Sequence, residues 1–189
     1  MTREEWLNRA AELMRPLFED RCGIPLPPRF RVSMSLIGPR SGRTIGRCYD
    51  SGASADGTFE ILIRIDRHDS LEVIAVLAHE LAHAAVGLAA GHKAPFARVV
   101  RCLGLEGPAT ATTPGPAFAS AVAPILAELG PFPHAPLSYG GPSSGPPKQG
   151  TRMHKVICRE CGLIARMTSR WIDAVGPVHC PDHGQMAVE

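Results

Sequence analysis

The chain lacks a long apolar run. Its most apolar stretches, Val73 to Ala78 and Ala84 to Ala90, flank ionisable residues and fall far short of the roughly 20 residues that span a bilayer. A transmembrane helix is excluded and no membrane partner is expected. Met1 to Arg9 is charged and has no apolar centre of the kind a signal peptide needs, so the expected location is cytoplasmic. The chain also lacks a dominant charge: the net value is only +2. It has no disulfide framework either. Of six cysteines, Cys158, Cys161 and Cys180 lie together near the C-terminus with histidines alongside, which is metal spacing. Cys22, Cys48 and Cys102 are scattered through apolar segments and read as small buried hydrophobes with no chemical role.

Glycine and proline are in excess, and they cluster. The stretch GPFPHAPLSYGGPSSGPPKQG, residues 130–150, is too rich in Pro, Gly and Ser to pack as a regular element. It reads as a linker between a domain over residues 1–129 and a small module over 151–189, a division that suits a chain of 189 residues. Phe132, Leu137 and Tyr139 leave open a fixed coil wrapped on the first domain for the first half of that stretch.

Within residues 1–129, Thr2 and Glu5 form a capping-box pattern. Trp6, Leu7, Ala10, Leu13, Met14, Leu17 and Phe18 follow at helical spacing, and Pro25, Pro27 and Pro28 close the helix. Phe30–Leu36, Thr44–Tyr49 and Phe59–Ile65 read as short strands of a small antiparallel sheet. Asp69 or Ser70 caps a second helix, so apolar over Leu71 to Ala82 that it must be central and buried. A third helix runs from Pro95 to Cys102 or Leu103 with Gly104 as its stop. A fourth runs from Pro116 to Leu129, bent or interrupted at Pro124. The fold class is α+β.

The central helix carries His79-Glu80-Leu81-Ala82-His83, an HExxH pattern. Residues four apart share a helix face, so two imidazoles can hold one metal ion with Glu80 beside it as general base. Two histidines and a glutamate in so apolar a helix are costly without a partner. A catalytic zinc needs a third protein ligand, and His92, just past the helix after Gly91, is the leading candidate; His68 and His134 remain alternatives. The metzincin spacing is excluded, because Val86 and Ala89 stand where its Gly and His would be.

The run HELAHAAVGLAAGHKAPFARVVRCLGLEG resembles the SprT-like zinc metallopeptidases, the Spartan-related family, in which HExxH is followed by a Gly-His-x-x-x-Phe segment. Here that segment is Gly91 to Phe96. The resemblance implies a zincin-like fold, His79, His83 and His92 as zinc ligands, Glu80 as catalytic base, and hydrolysis of peptide bonds in protein substrates. Lys93 departs from the family's usual glycine after Gly-His.

Near the C-terminus, Cys158-x-x-Cys161 and Cys180-x-x-His183 are separated by eighteen residues, the spacing of a zinc ribbon. Four protein ligands make a closed, structural site whose metal supplies folding energy to a small module. His179 competes with His183 for the fourth position, but Cys-x-x-His repeats the turn geometry of Cys-x-x-Cys. The basic surplus lies here: Met1 to Leu129 balances 14 basic against 14 acidic residues, while Lys148 to Arg170 holds six basic residues and one acid, with Trp171 beside them. That is a footprint for phosphate contact and base stacking, so DNA is the expected partner, a reading strengthened by Spartan's action on proteins crosslinked to DNA. The alternative function is a non-catalytic zinc-binding nucleic-acid or transcription-associated protein, against which the intact Glu80 argues.

Overall fold

The computed structural model describes residues 1–36, 44–137 and 153–189. The fold is α+β and divides into two compact units, Met1–Tyr139 and Gly140–Glu189. Among the described residues no helix is long and apolar enough to cross a membrane.

In the first unit, α1 (Arg3–Leu13) starts at a full capping box: the Thr2 hydroxyl accepts from the Glu5 N–H, and the Thr2 N–H donates to the Glu5 carboxylate at 2.6 Å. Trp6, Leu7, Ala10 and Ala11 form its buried stripe. The regular helix ends sooner than its apolar spacing implied. Pro16 has no N–H to continue the ladder, and the chain winds on as a wider π turn over Leu17–Arg21 that still buries Phe18.

Three strands follow: β1 (Phe30–Ser35), β2 (Gly46–Tyr49) and β3 (Phe59–Arg64), in the order β1-β3-β2. The sheet is mixed, not antiparallel as expected. β2 and β3 form an antiparallel hairpin, but β3 inserts between its predecessors and runs parallel to β1. Alternating apolar residues announce strands without naming their neighbours. Ile61 and Ile63 of the central strand are fully buried. The outer edge of β1 is closed by α1: the Asn8 carboxamide donates to the Val32 carbonyl and accepts from the Val32 N–H, at 2.8 and 3.0 Å.

The central helix, α2 (Ser70–Val86), is capped by Asp69, whose carboxylate accepts from the Glu72 N–H. It is buried on almost every side, from Val73 through Ala78 and again at Leu81, Ala82 and Ala84. α3 (Ala94–Leu103) stops at Gly104, which adopts φ +91° against the first turn of α4; a Cβ there would meet the Phe118 nitrogen at 2.5 Å. A two-stranded ladder that the sequence pattern did not announce, β4 (Leu105–Glu106) with β5 (Thr113–Pro114), comes next. α4 (Pro116–Leu129) runs through Pro124 as one helix rather than breaking there, and buries Phe118, Val122, Ile125 and Leu129.

The start of the Pro/Gly-rich stretch packs on this unit. Trp6 Nε1 donates to the Gly130 carbonyl at 3.0 Å, and Phe132 meets the Trp6 ring edge-on at 5.1 Å. The Phe132 N–H donates to Ser70 Oγ, and the Leu137 N–H to the Ile65 carbonyl. Tyr139 and the remainder of that stretch lie outside the described residues.

The second unit holds β6 (Met153–Ile157), β7 (Ile164–Thr168), α5 (Ser169–Val175), β8 (His179–Cys180), β9 (Gly184–Gln185) and β10 (Ala187–Val188). β6 pairs antiparallel with both β7 and β10, and β8 pairs with β9. Among its described residues the core is Val156, Cys158, Cys180 and Met186, with Ala165, Met167 and Ile172 packed against them. So small a core calls for a further crosslink.

Candidate metal centres

α2 presents His79 and His83 on one face, their ring centroids 5.2 Å apart. Beyond Val86 the chain reverses through two glycines at positive φ, Gly87 (+83°) and Gly91 (+50°), with a 3-10 turn over Leu88–Ala90 between them. That reversal returns His92 to the helix: its Nε2 lies 3.2 Å from His83 Nε2. The ligating nitrogens of His79, His83 and His92 all lie within 4.8 Å of one another. Phe96 of α3 floors the cluster, stacked on His83 at 4.1 Å and edge-on to His79 and His92.

Tetrahedral coordination at a metal–nitrogen distance near 2.05 Å places two nitrogen ligands about 3.35 Å apart. The observed 3.2 Å between His83 and His92 fits it. His79 Nδ1 lies 2.8 Å from Thr112 Oγ1, so a proton on Nδ1 held by that hydroxyl leaves Nε2 as the free donor. Burial, and then the neighbouring imidazoles, hold His79 and His83 down to about 4, so both are neutral, as a metal ligand must be.

Glu80 reaches toward β2, lines the same cavity as the three histidines, and is 6% exposed. Burial pushes its carboxyl up to about 8, against the opposing pull of the Cys48 N–H and of Arg47. Gly46 makes room for it: a Cβ there would stand 2.6 Å from Glu80 Oε1 and 2.7 Å from Val76 Cγ1. A cavity of about 610 Å³ opens over these groups, walled by Thr44 to Cys48 on one side and Thr110 to Thr113 on the other. Gly46, Cys48 and Thr112 were not singled out from the sequence for this site. A glycine inside a strand pattern was the available signal for a close approach at position 46.

The other histidines stand apart from the cluster. His68 is exposed in the loop before α2. His134 Nε2 lies 2.6 Å from the Ile65 carbonyl, with its Nδ1 3.4 Å from the Arg3 guanidinium. Arg47 lines the cavity and donates to the Tyr49 hydroxyl at 3.3 Å.

In the second unit Cys158, Cys161, Cys180 and His183 converge, with all four ligand atoms within 4.8 Å, and His179 is outside the group. Cys161 and Cys180 sulfurs are 3.6 Å apart, and Cys180 Sγ is 3.5 Å from His183 Nδ1. A tetrahedral site with metal–sulfur distances of about 2.3 Å calls for about 3.75 and 3.55 Å. The glycine after each ligand pair, Gly162 and Gly184, has positive φ, +75° and +80°. The N–H of Cys161 chiefly, with that of Glu160, pulls the Cys158 thiol below its ordinary pKa.

Two clusters are therefore compatible with two metal ions. Comparison with protein-family models, curated proteins and solved structures gave no match. The residues of this chain alone define its sites.

Proposed function

We propose that the chain is a zinc metallopeptidase of the SprT-like type, with a zincin-like catalytic unit that hydrolyses peptide bonds in protein substrates and a structural zinc ribbon. The observation that carries this reading is a three-imidazole cluster beside a buried carboxylate on the wall of an open cavity. Three protein ligands leave a coordination position free, whereas the four of the ribbon cluster do not. Zinc at the histidine cluster, when bound, supplies Lewis acidity toward a carbonyl oxygen and toward water.

The chain's own residues do the rest. Thr112 fixes the His79 ring, and the floor at Phe96 fixes all three. Glu80, its carboxylate bonded to the Cys48 N–H, takes a proton from the attacking water and later delivers it to the leaving amine. Asn8 occupies the outer edge of β1, while Thr44 to Cys48 line the cavity, so the β2 side is where an extended peptide can lie. Unfolded segments are the substrate class this geometry favours.

For the ribbon we infer docking to DNA. Trp171 is 54% exposed, with the Arg170 guanidinium 5.5 Å from its ring, and Arg159 and Arg166 are exposed on the same unit. Binding to single-stranded DNA should weaken steeply with salt and with Trp171→Ala. The peptidase reading is tested by incubating the zinc-loaded chain with an unfolded, carboxymethylated protein, with and without single-stranded DNA. New peptides should appear by mass spectrometry, vanish on chelation and return with zinc. A fully zinc-loaded chain that cleaves neither this substrate nor itself would leave the non-catalytic alternative standing.

A further inference from the structure

Cys22 and Cys102 are half-buried and belong to neither metal cluster. Cys22 follows the π turn after α1, and Cys102 stands near the end of α3. Their contacts are reciprocal. Cys102 Sγ donates to the Arg21 carbonyl at 3.2 Å, and that carbonyl belongs to the peptide unit that ends at the Cys22 nitrogen. Cys22 Sγ reaches the Val99 carbonyl at 4.0 Å, on the turn of α3 immediately before Cys102. Each sulfur thus lies against the backbone that carries the other. Burial, and next to it the Cys102 thiol, pushes the Cys22 thiol up to about 12.

From this juxtaposition we propose that Cys22 and Cys102 are a reversible dithiol–disulfide site, oxidised by low-molecular-weight disulfides such as oxidised glutathione. The Cys102 thiolate attacks one sulfur of the reagent, whose S–S bond breaks to release one glutathione thiolate, and a mixed disulfide forms. Cys22 gives up its proton as its sulfur attacks Cys102 Sγ, the mixed disulfide breaks, and the second glutathione leaves as a thiol. Two protein thiols are oxidised and one glutathione disulfide is reduced to two thiols. Cys22 is the second to react because its thiol resists ionisation.

The bond would join α3 to the segment that follows α1. α3 carries Phe96, the floor of the histidine cluster, so oxidation clamps the scaffold of that cluster without occupying the cavity. Cys48, buried beside Glu80, has no neighbouring thiol among its contacts and is not part of this chemistry.

The test uses the full chain, zinc-loaded, equilibrated in glutathione buffers from fully reduced to mostly oxidised. After acid quenching, free thiols are alkylated and the chain is digested without reduction. The expected product is a peptide pair joined through Cys22 and Cys102, lighter by two hydrogens than the separate thiol peptides. It grows with the oxidised fraction and is undone by dithiothreitol. The joined form melts at a higher temperature than the reduced one. In Cys22→Ser, Cys102 stops at the mixed disulfide with glutathione. Recovery of Cys22 and Cys102 as separately alkylated or separately glutathionylated peptides across the whole series would overturn the proposal, as would joining of either one to Cys48.

Discussion

Replacing Glu80 by Gln in the metal-free chain removes a carboxyl that burial raises, and should change how the stability of the first unit depends on pH. The native state holds this carboxyl at about 8 against an ordinary value of 4.5. Between those values the folded chain binds a proton that the unfolded chain has lost. The contribution is fully present below 4.5 and is lost as pH rises through 8. The shift corresponds to about 5 kcal/mol in all, of which about 2 kcal/mol falls between pH 6.5 and 8. His79 and His83, held down to about 4, act oppositely and add stability as pH rises from about 4 to 6.5. Metal-free wild type should therefore be most stable near pH 6.5, and Glu80→Gln should remove the fall above it. The assay is urea unfolding in chelator, with Trp171→Phe in both chains so that Trp6, buried against Phe132, reports on the first unit alone. Adding zinc should flatten the wild-type curve, because a nearby cation favours the ionised carboxylate. Parallel stability curves for the two chains from pH 5 to 8 without metal would refute the assignment of Glu80 as a carboxyl raised by burial.

Other expected outcomes follow from single contacts. Gly46→Ala puts a methyl group 2.6 Å from Glu80 Oε1 and 2.7 Å from Val76 Cγ1, which should cost about 1–3 kcal/mol in urea unfolding and lower peptide cleavage as Glu80 is displaced. Thr112→Val deletes the partner of His79 Nδ1. It should weaken zinc at the histidine cluster by about 10–100-fold in competition with a chromophoric chelator, leaving the ribbon site unchanged. Zinc content by elemental analysis should be two per chain for wild type and one each for His79→Ala and Cys158→Ser, since each cluster loses a ligand in one variant only.

Local features were legible from residue types. Thr2, Asp69 and Gly104 mark helix ends that the structure places within a residue or two of expectation, because caps are satisfied by neighbours in sequence. The i, i+4 spacing of His79 and His83 put both rings on one face for the same reason. What escaped depends on distant segments. β3 inserting between β1 and β2 is a pairing of segments distant in sequence, which no strand pattern encodes. Thr112 reaches His79 across 33 positions only because two-residue strands, too short to carry a period, hold its loop over the cavity. His92 is intermediate: its distance in sequence was readable, but its return to His83 requires two left-handed glycines. The Cys22–Cys102 juxtaposition had no local mark at all.

On the proposed reading Glu80 is the base of a zinc peptidase. Its most direct test compares cleavage of an unfolded protein by wild type and Glu80→Gln, both shown to carry two zinc ions per chain. Wild type should cleave, and Glu80→Gln, with undiminished zinc and unchanged DNA affinity, should not. Equal cleavage by both, or none by either, would contradict it.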